Sequence, residues 1–171
     1  MMRVSASDLP VYVASFGTEK LGPARALPEA LRHASRFGID LKDHRAQALH
    51  GVDLSVADLV IGFELAHVAA AVVEAGASYE KTFTILELVA LLDDVDQELP
   101  EDPVRRAREA VIAAHRLRSN DGGYYPQHQL RDPVGGTDEV FETTAEELRA
   151  STRKLVERLF GVTPQELPPI E

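Results

Sequence analysis

The sequence predicts an α/β fold, a parallel sheet with helices on both faces. Three observations carry this. Short apolar runs, of which Asp58-Leu59-Val60-Ile61-Gly62-Phe63 is the clearest, have the pattern of strands buried on both faces. Stretches with apolar residues at helical spacing follow them and end at glycine or proline signals. The alternation of the two implies right-handed crossovers and therefore parallel pairing.

Val11-Tyr12-Val13-Ala14-Ser15, closed by Gly17, is β-prone and is predicted as the first strand. Residues 28–37 carry Ala30, Leu31, Ala34 and Phe37 on one helical face, with Gly38 where a helix C-cap belongs. The run 58–63 is the second strand, and the helical pattern over 64–75 stops at Gly76. Lys81-Thr82-Phe83-Thr84-Ile85 is a third short strand leading into a leucine-rich helix over 86–92. The acidic, proline-containing stretch 93–102 reads as a surface loop, and Pro103 fits the first turn of a helix reaching about residue 118.

Ser119-Asn120-Asp121-Gly122-Gly123 stops that helix, and Tyr124-Tyr125-Pro126 reads as loop packing. A final helix from about Thr137 places Phe141, Ala145, Leu148, Leu155 and Leu159 on one stripe. With no internal repeat and no second core, residues 1–171 are expected to form one domain, with the segment of about 93–131 an acidic, helical insertion. The sheet is the weak point. Three strands are few for so many helices, and a doubly wound pattern calls for a strand and a helix ahead of Val11.

The chain has 171 residues, of which 44% are hydrophobic, enough for a sizeable core. Its 28 acidic residues against 18 basic ones give a formal charge of −10, which argues against nucleic acid as a partner. The basic run Arg105-Arg106-Ala107-Arg108 reads as a solvated helix face. The absence of cysteine excludes disulfides, thiolate metal sites and a cysteine nucleophile within the chain. With no signal-peptide pattern and no apolar run near the roughly 20 residues a membrane helix requires, a soluble cytoplasmic protein without a membrane partner is expected.

One carboxylate stands out. Asp132 lies in Asp132-Pro133-Val134-Gly135-Gly136, where proline fixes the chain and two glycines allow a tight turn. The plain reading is turn chemistry, the side chain bonding its own backbone. The functional reading is a general acid on a rigid loop. The six histidines are scattered, and Glu64 with His67 reads as a surface pair before a metal site, so no metal is expected. No nucleophile elbow and no phosphate-cradling glycine loop appears, and no cofactor is implied.

Taken in order, the segments resemble the low-molecular-weight protein tyrosine phosphatase family. Val13-Ala14-Ser15-Phe16-Gly17-Thr18 is similar to its V-x-S-A-G-T, and Gly38-Ile39-Asp40-Leu41-Lys42-Asp43-His44-Arg45 to its G-I-D-L-S-x-H-R. Ala57-Asp58-Leu59-Val60-Ile61-Gly62-Phe63-Glu64 with His67 is similar to A-D-L-I-L-x-M-x-x-x-H, and residues 132–136 to D-P-x-G-G. Lys81-Thr82-Phe83-Thr84-Ile85-Leu86-Glu87-Leu88-Val89 resembles the R-T-F-T-L-K-E-L-V of a bacterial branch.

The resemblance implies a flavodoxin-like sheet of four parallel strands and hydrolysis of phosphomonoesters, on proteins or small molecules, through a cysteinyl-phosphate. The cysteine and a phosphate-binding arginine belong to a C-x5-R loop after the first, central strand. By resemblance Asp132 matches the general acid, and Ser15 and His44 match residues that brace that loop. Val134 stands where the family often has an aromatic that flanks the substrate ring.

The departure is equally plain, since the C-x5-R loop, first strand and first helix have no counterpart in this sequence. Residues 1–9 would match the end of that helix. Either the N-terminus is shortened, which the retention of Ser15, His44 and Asp132 favours, or the chain is a non-catalytic binding or regulatory descendant. In both cases residues 11–15 and 59–63 lose their shared neighbour. The expected results are direct pairing of the two, an open groove, or oligomers formed through unpaired strand edges.

Overall fold

A computed structural model describes residues 9, 11–19, 23–118, 128–164 and 169. The expectations for residues 1–8, for the helix stop at 119–123 and for Tyr124-Tyr125-Pro126 lie outside the described residues. In chain order the elements are α1 (Pro28–Arg36), β1 (Val60–Gly62), α2 (Leu65–Ala75), a 3-10 turn (Tyr79–Lys81), β2 (Thr82–Thr84), α3 (Ile85–Asp93), α4 (Pro103–Leu117) and α5 (Asp138–Phe160).

Local chemistry sets most of these boundaries. Pro28 occupies the first turn of α1, and Gly38 beyond its C-terminus takes φ 71°, a left-handed value that favours glycine. Gly76 and Gly161 end α2 and α5 in the same way, at φ 69° and 70°. Thr84 caps α3 reciprocally, its Oγ1 accepting from Glu87 N at 3.2 Å while its own N–H donates to Glu87 Oε2 at 3.3 Å. Asp102 Oδ1 accepts from Arg105 N at 2.9 Å ahead of Pro103, which opens α4.

The sheet is smaller than the sequence suggests. Among the described residues it holds two strands, β1 and β2, paired parallel with Val60 opposite Thr82, Ile61 opposite Phe83 and Gly62 opposite Thr84. Residues 11–15, predicted as a strand, take no part in it and do not pair with β1. β-propensity describes a side chain's fit to a pleated surface, whereas a strand exists only where a neighbour supplies ladder bonds. Two residues later, Gly17 N–H donates to Gln47 O at 2.7 Å and Leu49 N–H to Gly17 O at 2.8 Å.

The core gathers on β2, α3, α4 and α5. Phe83, Leu88, Ala110, Ala114, Leu155 and Val156 are fully buried there, and Leu9, Val11, Leu59 and Ile61 pack partly buried against them. α4 therefore contributes to the core, although the sequence placed it within an insertion. Packing of α2 against both strands fixes the sheet from the other elements.

Arg118, at the end of α4, locks this assembly. Its side chain is 9% exposed. The guanidinium lies 4.5 Å from the Tyr79 ring centroid and 4.0 Å from that of Phe83, and donates to both carboxylate oxygens of Glu87, at 2.8 and 3.0 Å. It also donates to Thr82 O at 2.8 Å and Tyr79 O at 3.1 Å. One side chain thus joins α4 to β2, α3 and the 3-10 turn. Arg118→Ala strands Glu87 in a largely dry site, and urea denaturation is expected to show a loss of about 3 kcal/mol. Arg118→Lys recovers only part of it, because an ammonium cannot make the bidentate and stacked contacts together.

Candidate functional site

The Asp132 loop is built by its proline and glycines and tied down at both ends. Gly136 N–H donates to Pro133 O at 2.9 Å, and Gly135 takes φ 82°, the positive value that a type II turn requires at its third position. A Cβ on Gly136 would come within 3.0 Å of Pro133 O and of Val140 Cγ1, so the loop can press against α5 only without a side chain there. Upstream, Leu130 N–H donates to Phe63 O at 2.9 Å and Thr84 Oγ1 donates to His128 O at 2.6 Å. Downstream, Thr137 caps α5, its Oγ1 accepting from Val140 N at 3.4 Å. The loop is thereby fixed to the C-terminal ends of both strands.

Asp132 is exposed, and its Oδ1 accepts from Val134 N at 2.9 Å. This is the Asx-turn bond of the plain reading. It also holds the carboxylate at the mouth of a groove of about 440 Å³ between α1 and α5. Ala30, Ala34 and Phe37 form one wall and Phe141, Ala145 and Leu148 the other, while Phe63, His67, Arg131 and Asp132 close one end. Val134, beside the carboxylate, is 62% exposed and lies outside this lining.

Ion pairs fasten the two helices that form the walls. Arg32 and His33 of α1 both reach Asp138 Oδ1, at 2.6 and 3.1 Å, and Arg36 reaches Glu142 Oε1 at 2.6 Å. His33 is buried and lies nearly parallel to the Phe141 ring, 6.4 Å between centroids. Sequence reasoning missed this histidine, because its partner is 105 positions away and shares no motif with it.

Glu64 and His67, read from sequence as a surface pair, have another purpose. His67 Nδ1 accepts from Phe63 N at 3.2 Å and Glu64 N at 3.3 Å, satisfying backbone donors at the start of α2. Gly62 makes room for it, since a Cβ there would stand 2.8 Å from His67 Cβ. Among the described residues no group of His, Asp and Glu is arranged to hold a metal ion. No helix among them is long and apolar enough to cross a membrane.

Ser15 and His44 are exposed, and neither lines the groove that Asp132 borders. His44 sits in a turn, its N–H donating to Leu41 O at 3.1 Å, and its carbonyl accepts from the Arg45 guanidinium at 2.8 Å. Of the three residues singled out by resemblance, the groove gathers Asp132 alone.

The fold compares with a solved structure, the low-molecular-weight protein tyrosine phosphatase from T. tengcongensis. The TM-score is 0.53 at 29% sequence identity, over 80% of this chain and 70% of that one. No protein-family model matches the sequence, and no curated protein matches it. The architecture is thus α/β of the flavodoxin-like kind, with a reduced sheet. With its motifs in the family's order, the chain is similar in sequence and fold to that low-molecular-weight protein tyrosine phosphatase.

The Asp138 cluster carries a pH dependence. The hydrogen bond from His33, aided by the charges of Arg32 and Arg36, holds the Asp138 carboxyl below the usual carboxylate range. A carboxylate depressed in the folded state stabilises above its unfolded value, about 3.9, and that contribution is lost as pH falls through the lower folded value. Urea midpoints of the wild type and Asp138→Asn are therefore expected to differ at pH 5 and to converge toward pH 3. A difference that stays constant over that range would show that the pairing carries no linkage.

Proposed function

We propose that these 171 residues form a phosphatase-family domain that presents the acid loop and substrate-flanking wall of a phosphomonoesterase, without completing the covalent step by themselves. The observation that carries this is the placement of Asp132 at the groove mouth, on a D-P-V-G-G turn, in a chain with no thiol. In the proposed chemistry the acid protonates the leaving oxygen of a phosphomonoester, on a protein or a small molecule. Phosphoryl transfer also needs an attacking group and cations around the equatorial oxygens. Asp132 alone supplies neither, and general acid catalysis contributes only about 10²–10⁴-fold of such an enhancement.

A second reading, a non-catalytic binding or regulatory module, is favoured by the bond that commits Asp132 Oδ1 to Val134 N–H. The two readings agree on turnover and differ on whether the groove is occupied. For the purified chain, hydrolysis of p-nitrophenyl phosphate is expected at the buffer rate, with Asp132→Asn indistinguishable from the wild type. A rate above buffer that disappears in Asp132→Asn would establish catalysis by this chain alone and overturn the proposal.

A further inference from the structure

We propose that the groove between α1 and α5 binds a small amphiphile carrying a single negative charge, an aromatic or aliphatic body bearing one carboxylate or sulfonate. The site requires neither a nucleophile nor proton transfer, so it does not rest on the phosphatase reading.

Three features point to this ligand. The cavity of about 440 Å³ lies within the roughly 300–1,000 Å³ of small-ligand pockets, and Phe37, Phe141 and Leu148 give it apolar walls. Arg131 and His67 both line it, on segments joined by the bond from Leu130 N–H to Phe63 O. Both offer donors. His67 Nδ1 is committed as an acceptor to two backbone N–H groups, which places the proton of the neutral ring on Nε2. Arg131 lines the groove, is exposed, and makes no hydrogen bond or ion pair among the described residues.

The surrounding charges select the ligand's valence. Asp138 is already met by Arg32 and His33, and Asp132 keeps its negative charge with a neutral N–H on Oδ1, so among the described residues the cation at this end without an ion-pair partner is the Arg131 guanidinium. A bidentate pair with a carboxylate or sulfonate satisfies it. A dianion would leave its second charge beside Asp132 in a chain of formal charge −10, with no second free cation lining the groove among the described residues. A cationic head would face Arg131 and the His67 donor.

The test is equilibrium fluorescence titration of the full chain with 8-anilinonaphthalene-1-sulfonate and with its uncharged counterpart, N-phenyl-1-naphthylamine. The sulfonate is expected to saturate a single site. Arg131→Ala should weaken it about tenfold while leaving the uncharged probe within about twofold, the signature of one charge-assisted contact. Filling the cavity from either wall, with Ala145→Leu or Ala34→Leu, should abolish binding of both probes in variants whose thermal unfolding stays cooperative. The proposal is overturned if the sulfonate does not saturate, if Arg131→Ala leaves its affinity unchanged, or if neither filling variant displaces it. Equal loss of both probes in Arg131→Ala would likewise remove the charged contact from the site.

Discussion

The structure depends on burying β2 completely. Thr82, Phe83 and Thr84 are all 0% exposed, and two of the three carry hydroxyls. A buried hydroxyl without a partner costs about 1–3 kcal/mol, so this strand is tenable only if each finds an acceptor. Thr82 Oγ1 donates to Ser78 O at 2.7 Å and Thr84 Oγ1 to His128 O at 2.6 Å, while Arg118 takes the Thr82 carbonyl. Satisfying the strand therefore sets the positions of the 3-10 turn, the end of α4 and the approach to the Asp132 loop. The acid loop is held where it is because a threonine hydroxyl needs its neighbour's carbonyl.

The same constraint explains which features were legible in the sequence. Gly38, Gly76 and Gly161 mark helix ends because a left-handed residue is a local demand that one position can reveal. Residues 60–62 and 82–84 read correctly as strands because both lie in apolar, β-branched runs bounded by helix starts. Residues 11–15 have equal propensity yet take no place in the sheet of the described residues, a matter of sheet assembly that no local pattern records. The helix over 103–117 was placed correctly, yet its burial of Ala110, Val111 and Ala114 was not foreseen. Alanine on a helix face looks the same in the sequence whether it meets solvent or a core.

At the candidate site, the D-P-V-G-G turn made Asp132 visible, but nothing local revealed the groove beside it. The walls come from residues 30–37 and 141–148, and the alanines that leave the space open are silent in a sequence. His67 was noticed for the wrong reason: its partners are backbone N–H groups, and histidine is not among the residues a capping pattern leads one to expect. Ser15 and His44, given a bracing role by resemblance, stand apart from the groove.

The distribution of the core along the chain has a consequence for synthesis. The buried cluster spans residues 83–160, and the chain before it contributes to it only partly buried side chains such as Val11, Leu59 and Ile61. A ribosome adding about 5–20 residues per second therefore exposes those apolar side chains for roughly 5–20 s before the surface that covers them has been made. A chain cut short before α5 would lack Leu155, Val156 and Leu159, and β2 and α3 would have no third side to close against. The arrival of α5 is what lets the first segments settle.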